Sequence, residues 1–260
     1  MTSGTAANYP SLAGQIVVVT GGASGIGGEM AAQFASQGAR VFALDIDIAA
    51  GQALAAQCNA AGGTGGGTIA FRSCDVTDCA ALQAAILAIG SEHGRIDTLV
   101  NNAANDTRHD WRTLTPDAWD ACMNVNLRHH FFASQAAHPF LKAAGGGSII
   151  CLGSISWLNG TTGMVGYTTA KSAIHGLVRT LARLFGPDSI RVNALLPGWT
   201  MTERQRKLWV DAAADAEIAA KQALPGKVEP ADVARLALFL AAADARMCTQ
   251  QVFVVDGGWI

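Results

Sequence analysis

Tyr167 and Lys171 stand four residues apart in a stretch of helical character, so their side chains fall on one helix face. A free phenol titrates near about 10, too high for a base at neutral pH. A neighbouring ammonium favours the phenolate and lowers that value. The pair therefore suits general acid–base work on an alcohol hydroxyl, and the chain holds only two tyrosines. Ser154, just past an apolar run, is placed to hold the oxygen of the same alcohol. Tyr-x-x-x-Lys alone also arises by chance on helix surfaces. Its weight comes from the segments around it.

One such segment is TGGASGIG at residues 20–27, set between an apolar run and a helical pattern. Gly21 allows a tight turn, Gly25 lets the backbone approach a pyrophosphate, and Gly27 lets the helix pack on the strand. Ser24 and Ile26 complete the turn, and the helix N-terminus presents free N–H groups to phosphates. Asp45 follows 20 residues after Gly25, at the end of the next apolar run. A carboxylate there accepts hydrogen bonds from both adenosine ribose hydroxyls and repels a 2′-phosphate, which favours NAD over NADP. The six histidines (93, 109, 129, 130, 138 and 175) show no metal-ligand spacing, and this chemistry needs no metal.

Positioning these groups requires a regular frame. Strand-like runs at residues 15–20, 41–45, 69–73, 97–101, 148–152, 191–196 and 252–255 alternate with helical patterns at 27–37, 49–61, 78–93, 116–143, 167–185 and 230–242. A GGTGGG run at 62–67 reads as a flexible break. Continuous apolar strands alternating with helices predict an α/β, doubly wound, Rossmann-type sheet of seven mainly parallel strands with helices on both faces. No linker divides the chain, so residues 1–260 read as a single dinucleotide-binding and catalytic domain. Residues 200–228, the least regular stretch, read as a mobile substrate lid just past a strand's C-terminal end.

Composition bounds the setting. The 260 residues carry 18 Lys plus Arg against 20 Asp plus Glu, a net charge of −2, which gives no electrostatic footprint for nucleic acid or anionic membrane. Charged residues make up 15% of the chain, well below the usual share, so subunit burial of surface, as a homotetramer or homodimer, is expected. The apolar ending Trp259-Ile260 is expected at a subunit contact, near a neighbour's substrate loop. The six cysteines form no CxxC pair. No secretion signal is visible at residues 1–10, and the uncharged stretch 143–170 is too broken by Gly, Ser, Thr and Asn to span a bilayer. A cytoplasmic enzyme is the expectation.

Taken together, TGGASGIG, Asp75-Val76, NNAA at 101–104, Asn126 in NVNL, Ser154, Tyr167-Thr-Thr-Ala-Lys171 and Pro197-Gly198 resemble the short-chain dehydrogenase/reductases over nearly the whole chain. By that resemblance Asp75 and Val76 bind the adenine side and Asn102 lines the cofactor cleft. Asn126 holds a water in a proton relay from Lys171, and Lys171 also bonds the nicotinamide ribose. Thr200 and Thr202 contact the carboxamide or phosphates. Ala104 departs from the glycine usual in the family, and removes no chemical function.

Three loops leave C-terminal strand ends and should converge on one pocket: NDTRH at 105–109, SWLN at 156–159, and Trp199 with MTERQ at 201–205. Asn105, Ser156, Trp157, Asn159, Trp199 and Arg204 are the candidate substrate contacts, beside Ser154 and Tyr167. An indole suits the C–H face of a pyranose, and amides, carboxylates and guanidinium suit its hydroxyls; a steroid would want a more apolar lining. These loops, with the ending VDGGW, resemble the NAD-dependent aldose 1-dehydrogenases of the family, which implies oxidation at C1 to an aldonolactone. The alternatives are a polyol or other secondary-alcohol dehydrogenase or carbonyl reductase using NAD(P), and a catalytically silent dinucleotide sensor.

Overall fold

A computed structural model describes residues 7–60 and 66–260. Most of the GGTGGG run and the first six residues lie outside the described residues. Seven parallel strands form one sheet in the order β3-β2-β1-β4-β5-β6-β7. They are β1 (Ile16–Thr20), β2 (Arg40–Asp45), β3 (Thr68–Ser73), β4 (Thr98–Asn101), β5 (Gly147–Leu152), β6 (Ile190–Pro197) and β7 (Val252–Val255). The order reverses between β1 and β4, so the crevice above these two strands is the switch point where such sheets bind ligands.

Period-2 alternation inside β1 builds both layers. Ile16 and Val18 point into one core with Leu82, Ile86, Ile174 and Val178, while Val17 and Val19 point into the other with Met30, Phe34, Val233 and Leu238. The first layer holds α3 (Cys79–His93), α4 (Pro116–Met123), α5 (His129–Ala143) and α6 (Val165–Phe185). The second holds α1 (Gly25–Ser36) and α9 (Pro230–Ala241), with α2 (Ile48–Ala60) against β3. Helices cover both faces of the sheet, which is why its central strands read as mainly apolar runs. No helix among the described residues is long and apolar enough to cross a membrane.

Two expectations are refined. The single helix expected over 116–143 does start at Pro116, which Thr115 caps, but a π-turn at Asn124–Arg128 separates α4 from α5. Such bulges cluster at functional sites, and this one holds Asn126 fully buried. Residues 200–228 are not irregular either. They form α7 (Glu203–Leu208) and α8 (Ala212–Lys221), and a bridge between Thr200 and Val228 closes the base of the insertion.

Candidate active site

The glycine turn leads directly from β1 into α1. Gly21 has φ +64°, a left-handed conformation that costs glycine little, and its N–H donates to Leu44 O at 2.7 Å. At Gly27 a Cβ would lie 1.9 Å from Gly21 O and 2.4 Å from Asn102 Nδ2, so only glycine lets the helix sit this close. Asn102 staples the turn to the end of β4, donating from Nδ2 to Thr20 O and Gly21 O, both at 3.0 Å. Ser24 is the extended N-cap of α1, without a side-chain cap, so the first helical N–H groups stay open to an anion. Asp45 accepts from Ala23 N at 3.0 Å and Asp47 N at 3.1 Å, which orients its carboxylate beside the turn. Asp75 is exposed and holds the next turn through Thr77, with the side chain of Val76 buried behind it.

The cradle, the open helix end and the strand-end carboxylate fit a dinucleotide. Beyond β6, Gly198 N donates to Val255 O at 2.7 Å, and Thr200 is buried with its hydroxyl on Gly198 O at 3.1 Å. Thr202 caps α7 by accepting from Gln205 N at 3.2 Å, and its methyl lies 3.4 Å from where a Cβ on Gly25 would be. The insertion thus begins directly over the glycine turn.

Tyr167 and Lys171 occupy the first two turns of α6, as their spacing requires. Lys171 is buried, and its Nζ donates to Leu152 O at 2.8 Å and lies 5.6 Å from the Tyr167 ring centre. Burial lowers its pKa to about 8. The expectation of a depressed phenol is corrected. Burial, reinforced by the Asp106 carboxylate, pushes Tyr167 up to about 12, because a phenolate loses more hydration there than its neighbours return. Ser154, hydrogen-bonded to it, and Arg108 pull the other way. The Ser154 oxygen also accepts from Ser156 N at 3.1 Å, which fixes its direction.

Asn126 is held by the π-turn against the loop after β4. Its Nδ2 donates to Asn105 O at 3.0 Å and Cys122 O at 2.9 Å, and its Oδ1 accepts from Asn105 N at 2.9 Å. Both amide protons are engaged within the chain, so the side chain braces the loop after β4.

One cavity of about 530 Å³ joins these groups, within the range of small-molecule sites. Ile26, Asn102, Ser154, Tyr167, Lys171, Pro197, Gly198, Thr200 and Thr202 line it, as do Ser156, Asn159 and Trp199. The Ser156 hydroxyl is buried there with no hydrogen-bond partner among the described residues. Asn159 faces the cavity while its Oδ1 holds the Thr161 turn.

Three expected substrate contacts lie elsewhere. Trp157 packs edge-on against His175 at 4.7 Å between ring centres, because neighbours in the one-turn helix Ile155–Trp157 point about 120° apart. Asn105 turns its Oδ1 onto Thr107 N and Oγ1, at 3.0 and 2.6 Å, as asparagine does in turns. Arg204 is half exposed and reaches Asp106 at 3.4 Å from outside the cavity. In their place the same loops send in Asp106, Arg108 and Gln205. Trp259 also lines this cavity, 6.5 Å from the Trp199 ring centre. The loops were identifiable in sequence; which residue of each faces inward depends on turn geometry.

The family model described as enoyl-(acyl carrier protein) reductase matches residues 21–260. A D-xylose 1-dehydrogenase of Caulobacter vibrioides is 45% identical over 257 residues, 98% of this chain and 99% of that protein. A probable galactose dehydrogenase of Rhizobium meliloti is 40% identical, over 96% of either chain. Among solved structures, a 7α-hydroxysteroid dehydrogenase complexed with NADH and 7-oxo glycochenodeoxycholic acid matches with a TM-score of 0.90, at 28% identity, over 96% of both chains.

Proposed function

The chain belongs to the short-chain dehydrogenase/reductase family, and from that premise we propose that it is an NAD-dependent dehydrogenase oxidising an aldose at C1 to the aldonolactone. One observation carries the choice of substrate. The cavity that holds Tyr167, Lys171 and Ser154 is walled by the Trp199 indole and lined by the acceptor Asp106 and the donor Arg108. An indole covers the C–H face of a pyranose, and the charged pair serves its hydroxyls. The names of the xylose and galactose dehydrogenases above support the same reading.

Tyr167 Oη takes the proton of the anomeric hydroxyl, and Ser154 donates a hydrogen bond to the same oxygen. When bound, the cofactor would supply the acceptor for the hydride leaving C1. Gly21, Ser24, Gly25, Ile26 and Gly27 cradle the pyrophosphate, Asp45 takes the ribose hydroxyls and selects NAD, and Asp75 and Val76 flank the adenine. Asn102, Pro197, Gly198, Thr200 and Thr202 hold the nicotinamide half. Lys171 would bond the nicotinamide ribose and, with a water held at Asn126, relay away the proton that Tyr167 takes up. Asn126 keeps the loop after β4 in place. The insertion 200–228 closes over both ligands as a lid.

The low charge fraction and the small residues of α5 and α6 support a homodimer or homotetramer, and the six unpaired cysteines suit a reducing cytoplasm. A panel of free aldoses and polyols with NAD and NADP, read by the absorbance of the reduced cofactor, tests the function. Turnover of an aldose with NAD is expected. Turnover of polyols or simple secondary alcohols alone overturns the substrate reading. Light scattering showing a fully active monomer overturns the assembly.

A further inference from the structure

Gln205 lies in the first turn of α7 and lines the cavity. Its Oε1 accepts from Trp199 Nε1 at 3.0 Å, and its Nε2 donates to Asp106 Oδ2 at 2.6 Å. Both partners are one-way groups: an indole nitrogen only donates and a carboxylate only accepts. A single orientation of the amide therefore satisfies both. The backbone N–H of Gln205 is held by Thr202, which lies over the glycine turn. Arg204 takes the other oxygen of Asp106, at 3.4 Å. The start of α7 is thereby tied at once to the indole wall and to the carboxylate that acts on Tyr167.

We propose that Gln205 is a specificity-determining positioning residue, whose amide holds the Trp199 indole in the plane that receives the sugar and clasps α7 to Asp106. This rests on the aldose reading given above. An indole free to rotate cannot offer a fixed face to a ring, whereas a small acyclic alcohol makes no use of that face. The clasp therefore acts on ring-bearing substrates and leaves the proton-transfer groups where they are.

Gln205→Met keeps the length and removes both hydrogen bonds. The expected result is a KM for the aldose raised about tenfold with kcat within about threefold, and selectivity over a short acyclic alcohol falling in proportion. NAD affinity, followed by fluorescence titration, should stay within about twofold, and in a Trp199→Ala background the same substitution should change KM less than about twofold. Near-ultraviolet circular dichroism of the unliganded protein supplies a readout independent of any substrate: the band lost in Trp199→Ala should weaken in Gln205→Met. Equal losses for every substrate, an unchanged effect in the Trp199→Ala background, or an unaltered dichroism band overturn the proposal. If the unsubstituted enzyme oxidises no aldose, the aldose reading and the specificity role fall together, while the dichroism still decides whether Gln205 positions the indole.

Discussion

His129 and His130 open α5 fully buried, with ring centres 4.3 Å apart. His129 Nε2 meets Ala103 O at 3.0 Å. Its Nδ1, and both nitrogens of His130, find no partner among the described residues. Burial, with the Lys171 charge nearby, drives the His129 pKa down to about 3 and that of His130 well below its ordinary value. The fold therefore holds both rings neutral. Unfolded, each takes up a proton below about pH 6.5, so the unfolded chain binds more protons and stability falls as pH falls. Their contribution is complete above that value and is lost at about 1.4 kcal/mol per ring for each pH unit below it. From near neutrality to about pH 5 the pair should remove about 4 kcal/mol, a large part of a typical 5–15 kcal/mol. Lys171, lowered to about 8, does not add to this slope, since its own effect changes only between that value and its unfolded one. Urea unfolding followed by tryptophan fluorescence, at fixed protein concentration and at both pH values, measures the loss. His130→Leu replaces a ring that has no hydrogen bond to lose, and should cut the pH-dependent loss to about 2 kcal/mol. Equal stability at the two pH values, or an undiminished loss in His130→Leu, would refute the reasoning.

The remaining predictions concern the reaction. Tyr167→Phe keeps the ring and removes the titrating oxygen, so turnover should fall at least about a hundredfold while NAD affinity survives; stopped-flow and fluorescence titration separate the two. Because burial raises Tyr167 and Asp106 raises it further, the oxidation rate should climb with pH, and Asp106→Asn should move the midpoint of that climb down. Replacing Asp45 with Ala removes the carboxylate beside Ala23 and should narrow the kcat/KM ratio of NAD to NADP.

Much of this protein is a local matter. The parallel sheet was readable because strands covered on both faces read as nearly continuous apolar runs, as Ile16–Val19 of β1 does, and because parallel strands need long helical crossovers. The cofactor turn was readable because its glycines answer to backbone geometry within a few residues, and Gly27 has room for no Cβ. Tyr167 and Lys171 share a face by helical spacing alone. The π-turn at Asn126 left no such mark, because it arises where the helix adjusts to the loop it braces, 21 residues away. Which of Asn105, Asp106 and Arg108 turns inward was settled by an asparagine closing its own turn on Thr107. That choice belongs to torsion angles rather than to residue type. Trp259 joined the cavity because β7 pairs with β6 and delivers the chain end beside Trp199. The rise of Tyr167 to about 12 is likewise a tertiary result. Sequence placed an ammonium four residues from the phenol, but only the packed fold set how much water the phenolate loses and brought Asp106 from a distant loop to oppose its charge.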